Sequence, residues 1–336
     1  MKKGRTMPRR RESLKYALNK RAFQNTKNSK NNNTETSYKR SINQFVEWAK
    51  KRGYKTADEV TKETIQEYEE FLEGHPKSYQ PSTIHTFLTP ICVATGVSMG
   101  EIRKPKRKAG KIIRSRDNDT DENNLKNPQG IQEECNPKYA RVVSFQRMVG
   151  IRRAELADLL GMDLICMGED WSVLVRQGKG GKTQHQRILP QDVDTVREIF
   201  DGIEDMEKVF SKEELNNKID FHGMRAENAR RCYAYYAGKI EAEPGFAEKM
   251  RRKLMDRWLD GHERLRKTNH DAWSRQKKLF EREMDDRPYR LRGDNMTKAL
   301  ASGSSTEYNR LALMCVSVMH LAHWRLDVTV TNYVVK

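Results

Sequence analysis

Tyr38, Ile42, Phe45, Val46 and Ala49 recur at the three- and four-residue spacing that gives an α-helix one apolar face. Thr56 followed by Glu59 has the form of a capping box, and Val60, Ile65, Tyr68, Phe71 and Leu72 continue as a second stripe closed by Gly74. Pro81 and Ser82 open a third, through Ile84, Phe87, Leu88 and Ile91. The spacing thus predicts a small helical domain over 36–100, whose stripes are ordinary core.

A second, larger domain is expected over 131–336. Val142, Phe145, Val149, Leu156, Leu159 and Leu160 predict helical segments on either side of Gly150. The pattern then shortens: LIC (164–166) and WSVLVRQ (171–177) read as strands, and GKGG (178–181) before KTQHQRILP reads as a hairpin turn. Beyond Pro190 the spacing is helical almost to the end. The fold class is mainly α with a small β-sheet or hairpin, that is, α+β.

Charge changes the picture between these domains and ahead of them. Lys and Arg number 64 against 47 Asp and Glu, a net +17 over 336 residues, which points to a polyanionic partner. Residues 1–35 hold eleven Lys and Arg against Glu12 and Glu35 and are expected to form a mobile basic arm, or else merely a charged terminus. Residues 101–130 read as a linker, with Arg103, Lys104, Lys106, Arg107 and Lys108 placed to follow a phosphate backbone, or as a solvated tether. No apolar run suits a membrane span or a secretory signal. Five scattered cysteines without a C-x-x-C pair suit a reducing, cytoplasmic setting rather than disulfides or a zinc ribbon.

Four pieces of the second domain carry candidate chemistry. GIRRAEL (150–156) puts arginines just after a glycine. QGKGGK sets Lys179 near a hairpin tip; it is not a phosphate-binding P-loop, which would need glycine where Arg176 stands. FHGMR places His222 and Arg225 three apart, on one face of a helical turn. HWRLDVTVTNY brings His323 and Trp324 ahead of Tyr333. Singly, each has a bland reading: surface arginines, a solvated lysine, a packing tyrosine. His320 and His323 stand three apart, but with no third ligand nearby no metal is expected.

Taken in order, Arg, Lys, His-x-x-Arg, His/Trp and Tyr resemble the tyrosine recombinases, the phage integrase family. The resemblance also covers the layout: a helical core-binding domain, a linker, then a catalytic domain. It implies that Arg152, Lys179, His222, Arg225, His323, Trp324 and Tyr333 are catalytic, with Glu155 supporting Arg152. The family has one His or Trp nine residues before the tyrosine, where Trp324 stands; His323 lies one residue further off. His323 is expected nearer the phosphate, with Trp324 packing beside it. The stretch 240–300 is long for this family and is taken as a charged helical insertion, either a solvated pair or a protein-contact surface, with Trp258 and Trp273 packing.

The implied activity is site-specific cleavage and rejoining of double-stranded DNA through a 3′-phosphotyrosine, without a cofactor, by a tetramer assembled on paired sites for integration or excision of a phage or mobile element. Accessory DNA-bending or directionality proteins and a place at the nucleoid are further expectations. The residue types suit the chemistry. Guanidiniums clamp non-bridging phosphate oxygens and stay charged, histidine moves a proton, and a hairpin lysine can protonate a departing 5′-oxygen. Two alternatives stand beside this: a sequence-specific DNA-binding protein whose tyrosine is structural, and a relaxing enzyme of the type IB topoisomerase kind.

Overall fold

The computed structural model describes residues 12–24, 32–106, 128–178 and 182–335. The chain divides into two compact units, Met1–Ala109 and Gly110–Lys336.

The first unit is built from α1 (Leu14–Gln24), α2 (Asn32–Lys51), α3 (Lys62–Glu73) and α4 (Pro81–Thr95). Leu18, Ile42, Phe45, Ile65, Tyr68, Leu72, Leu88 and Ile91 are wholly buried in one core. Here the structure corrects three expectations. The basic arm carries a helix: Leu14, Ala17, Leu18 and Ala22 form a narrow stripe, buried against α2 and α4, within a strongly charged run. The helix expected at Thr56 begins at Thr61, where Thr61 and Thr64 exchange the capping hydrogen bonds; Thr56 opens only the short 3₁₀ turn Ala57–Glu59. The start of the linker is folded onto this unit. Ile102 is buried, the Arg103 main chain exchanges hydrogen bonds with the Gln66 amide at 2.8 and 3.2 Å, and Lys104 donates to the carbonyls of Ile102 and Met99. Of the other named linker cations, Lys106 is exposed, whereas Arg107 and Lys108 lie outside the described residues, as does Lys179.

In the second unit, α5 (Pro128–Glu134) and α6 (Ala140–Val149) lead to Gly150, at φ +67°, and the one-turn α7 (Arg153–Leu156). A three-stranded antiparallel sheet follows in the order β1 (Leu164–Met167), β2 (Asp170–Gly178), β3 (Lys182–Arg187), with Val173 opposite Gln186. Then come α8 (Val193–Phe200), α9 (Lys212–Leu215), α10 (Phe221–Ala242), α11 (Phe246–Gly261), α12 (Glu263–Thr268) and α13 (His270–Arg282). β4 (Tyr289–Arg290) pairs with β5 (Glu307–Tyr308) around α14 (Asp294–Ala301). The chain closes with α15 (Arg310–Cys315), a π-helical turn over Val316–His320, α16 (Leu326–Thr329) and a second π-helical turn over Val330–Val334. The fold is α+β, mainly helical with two small sheets.

α10 joins two cores. Phe221 and Met224 enter the core under the sheet, while Ala226, Ala229, Cys232 and Tyr236 face the core formed with α11, α15 and the closing segment. A helix buried on both sides can hold a side chain at its N-terminal end rigidly. The stretch expected as a solvated insertion belongs to that second core. Phe246, Met250, Leu254 and Trp258 recur every four residues along α11 and are buried, with Phe280 of α13 against them. Only one stripe in four residues needs to be apolar for this, so the charge on the other faces hid it.

Candidate functional site

Two turns place the arginines. Gly150 ends α6 in the left-handed conformation, where a Cβ would stand 2.8 Å from the Asn228 amide nitrogen, so both the turn and the space call for glycine. The chain re-enters helix at Arg152, the N-cap of α7. Glu155, buried at 3% side-chain exposure, accepts from the Arg152 main-chain N–H at 2.8 Å and from its guanidinium at 2.5 Å. Arg152 is thereby aimed while 24% of its side chain stays open to solvent. The neighbouring Arg153 is occupied elsewhere, donating to the carbonyls of Leu215 and Ile219 and lying over Phe221.

Asp220 caps α10 by accepting from the Gly223 N–H at 2.9 Å, which sets His222 and Arg225 on the first turn. His222 is exposed, whereas Arg225 is 1% exposed. Its guanidinium donates to the carbonyls of Gly150 and, at 2.9 Å, of Leu321. It is thus tied to the turn before Arg152 and to the loop before His323. Burial, and then the charge on Arg152, pull the Arg225 pKa below the ordinary arginine value, with Tyr333 and Glu155 opposing. An arginine so shifted is still a cation at neutral pH.

The closing segment brings the remaining groups. Tyr333 lies on the second π-helical turn at 5% exposure, its hydroxyl 3.1 Å from His323 Nε2. The His222 ring meets it edge-on at 5.8 Å between centroids, and the Arg225 guanidinium carbon lies 5.9 Å from the ring centre. Arg152, His222, Arg225, His323 and Tyr333 thus form one cluster, with Glu155 behind it. Trp324 faces elsewhere: half-buried, it packs on Phe280 at 5.6 Å and His262 at 6.2 Å, against the core that α11 and α13 share. Ala322 and Trp324 both have positive φ, +51° and +57°, and these reversals send adjacent side chains in opposite directions.

His320 also departs from His323. It is fully buried, with Nε2 3.0 Å from the Tyr236 hydroxyl and Nδ1 3.4 Å from Cys232 Sγ. Burial, with Arg187, Arg257, Arg231 and Arg225 adding to it, holds its pKa well below the usual histidine value. The Tyr236 hydroxyl accepts from Arg187 at 2.7 Å, and Arg187 is paired with Asp170. Neutral His320 therefore closes a hydrogen-bonded chain that braces α10 against β3.

Three supporting residues escaped sequence reading. The Gln186 amide of β3 donates to the carbonyls of Val149, Gly150 and His320, and Gln146 donates to those of Ile151 and Phe221 at 2.7 and 2.8 Å. Ser317, wholly buried, accepts the His323 N–H on its carbonyl at 2.9 Å and the Arg325 N–H on its hydroxyl at 3.0 Å. The one signal was a glutamine alternating with Ile188 at an inward strand position.

Chemically, the cluster offers a hydroxyl with an imidazole nitrogen in reach and the Arg225 guanidinium beside its ring, with the Arg152 guanidinium, held by Glu155, close enough to act on Arg225. Residues of these types could receive an oxyanion and draw a proton from the hydroxyl. No protein-family model matches the sequence, and no curated protein matches it. Among solved structures, the crystal structure of XerA recombinase matches over 66% of this chain and 84% of that one, at 18% identity and a TM-score of 0.23, a likeness too slight to carry fold or function across. No helix among the described residues is long and apolar enough to cross a membrane.

Proposed function

We propose that this protein is a site-specific DNA recombinase of the tyrosine type, with Tyr333 as the nucleophile. The observation that carries the reading is the Tyr333 hydroxyl, held 3.1 Å from His323 Nε2 in one cluster with two arginines and His222. A packing tyrosine has no need of such neighbours, and a purely DNA-binding surface has no need to bury its arginine.

Attack runs as follows. The Tyr333 hydroxyl gives its proton to an imidazole, His323 by geometry, and the phenolate oxygen attacks a backbone phosphorus. A P–O(Tyr333) bond forms as the P–O5′ bond breaks, and the 5′-oxygen leaves with a proton supplied by Lys179. Arg152 and Arg225 bind the non-bridging oxygens as negative charge builds on them. A preorganised donor of this kind is worth about 3–4 kcal/mol of barrier. The 3′-phosphotyrosine conserves the bond, so a 5′-hydroxyl from a second duplex reverses the step and completes strand exchange. The net charge of +17 favours duplex DNA as the substrate, and the cations beyond the folded start of the linker, Lys106, Arg107 and Lys108, would follow its backbone. A tetramer on paired sites, serving integration or excision of a mobile element, is the assembly this chemistry suits.

The test uses nicked duplexes of randomised sequence, in which the short cleaved strand diffuses away and traps the adduct. Selected sites then go into a two-duplex strand-exchange assay. An SDS-stable adduct and exchanged products are expected. Adducts with plasmid relaxation and no exchange would replace the reading with a topoisomerase-like one; binding without adducts would leave a DNA-binding protein.

A further inference from the structure

His323 reaches the Tyr333 hydroxyl, and its aim is set by neighbours that do not touch the reacting atoms. On one side Ser317 grips the loop twice, at the His323 and Arg325 N–H groups. On the other, Trp324 packs against both Phe280 and His262. His262 in turn stacks on Trp258 at 4.1 Å, nearly coplanar, with its Nδ1 2.8 Å from the Trp258 carbonyl oxygen; Trp258 also packs on Phe280 and Trp273. His323 thus lies between two left-handed non-glycine residues, Ala322 and Trp324. Side chains with a Cβ disfavour this backbone, so the surroundings must impose it.

We infer that Trp324 is a positioning residue, through which α11 and α13 fix the loop that aims His323 at the Tyr333 hydroxyl. The inference rests on the functional reading above, since the step it governs is the removal of the Tyr333 proton. It gives the charged helical stretch a role beyond packing: any partner that shifts α11 or α13 would reach the nucleophile through one indole ring. It also explains why histidine and tryptophan stand side by side, one for the proton and one for the anchor.

The experiment compares Trp324→Ala, Trp324→Phe and Phe280→Leu in the full chain, on nicked duplexes of randomised sequence at saturating concentration. Misplacing a reacting group by about 1 Å costs on the order of 100-fold in rate. Trp324→Ala is therefore expected to slow adduct formation by about that factor with duplex affinity unchanged. Trp324→Phe, which keeps a ring against Phe280, should stay near the wild-type rate. Phe280→Leu, a change within the buried core, should slow the reaction in the same direction as Trp324→Ala. A folded Trp324→Ala protein with the wild-type rate overturns the inference. So does a slow Trp324→Phe beside a fast Phe280→Leu, which would put the indole N–H on the phosphate. Should Trp324→Ala not fold, those two variants decide alone. A DNA-free readout separates this failure from failure of the functional reading: the ¹⁵N shift of His323 Nε2 should move in Phe280→Leu whether or not an adduct ever forms. An unmoved shift overturns the positioning role, whereas a moved shift without any wild-type adduct overturns only the recombinase reading.

Discussion

Arg225 and Tyr333 sit in the same site but are held by different physics. Arg225 rises from a long helix packed on two sides, and its guanidinium is fixed by the carbonyls of Gly150 and Leu321. Tyr333 rides on a single π-helical turn after four residues of α16, behind a loop with two left-handed residues. The difference suits their proposed tasks. An electrostatic clamp works best preorganised, because reorganisation at the moment of reaction would spend its advantage. A nucleophile that must travel with a DNA strand and return gains from a short, locally held mount.

The comparison can be broken most directly at the hydroxyl. Tyr333→Phe keeps the ring against His222 and Arg225 and removes the attacking oxygen, so adducts should vanish while duplex binding is retained, measured by SDS gel and by gel shift.

Next come the arginines, which should separate rate from stability. Arg225→Ala and Arg152→Ala should each slow adduct formation by about 10²–10³-fold, the usual loss for one preorganised donor. Arg225→Ala should also melt several degrees lower, because the buried Leu321 carbonyl loses its partner at about 1–3 kcal/mol and the Gly150 carbonyl keeps only the longer bond from the Gln186 amide. Arg152, partly open to solvent, should cost much less in melting temperature. Equal melting points for the two variants would contradict the idea of a rigid half.

Lys179 sharpens the other half. Lys179→Ala should cleave slowly, and replacing the bridging 5′-oxygen by sulfur should restore the rate, since a thiol of pKa about 8.5 departs without an acid. The same substitution should not rescue Tyr333→Phe. A smaller effect concerns the brace behind the clamp. His320 is neutral when folded, with a pKa well below its unfolded value of about 6.5. The unfolded chain therefore binds the extra proton, so stability should fall as pH drops through about 6.5 and be fully present above it. Thermal melts of wild type and His320→Gln across pH 5.5–8 should show a steeper decline for wild type.

The smallest effect expected is on salt dependence. Lys104 is engaged with main-chain carbonyls of its own unit, so neutralising it should change little. Neutralising Lys106, Arg107 and Lys108 together should flatten the slope of log K against log salt by about 0.9 for each DNA phosphate that these cations had neutralised. An unchanged slope would remove the linker from the DNA path.

What the sequence disclosed follows from the range over which each feature is determined. The stripes of α2 and α4, the β2–β3 pairing and the turn at Gly150 depend on neighbours a few residues away, and periodicity shows them. α1 was hidden because four buried residues sit among charges that dominated the reading of residues 1–35. α11 was hidden for the same reason, its buried face being one residue in four. The candidate site was legible as residue types in order, and Trp324 was expected to pack beside His323, but how that packing is made was not legible. It hangs on the left-handed backbone at Ala322 and Trp324, and on rings from α11 and α13 more than forty residues away. Ser317 was likewise invisible, and Gln186 showed only as a polar residue at an inward strand position, since their partners are main-chain atoms that the fold alone brings near.

If Tyr333 becomes covalently joined to DNA, peptide mapping will find the nucleotide on it. Wild-type protein is incubated with nicked randomised duplexes, trapped in SDS, digested with nuclease and protease, and sequenced by mass spectrometry. A nucleotide attached through its 3′-phosphate to the peptide containing Tyr333 is expected, and none in Tyr333→Phe. A nucleotide on any other residue, or trapped duplex with Tyr333 unmodified, would contradict that expectation.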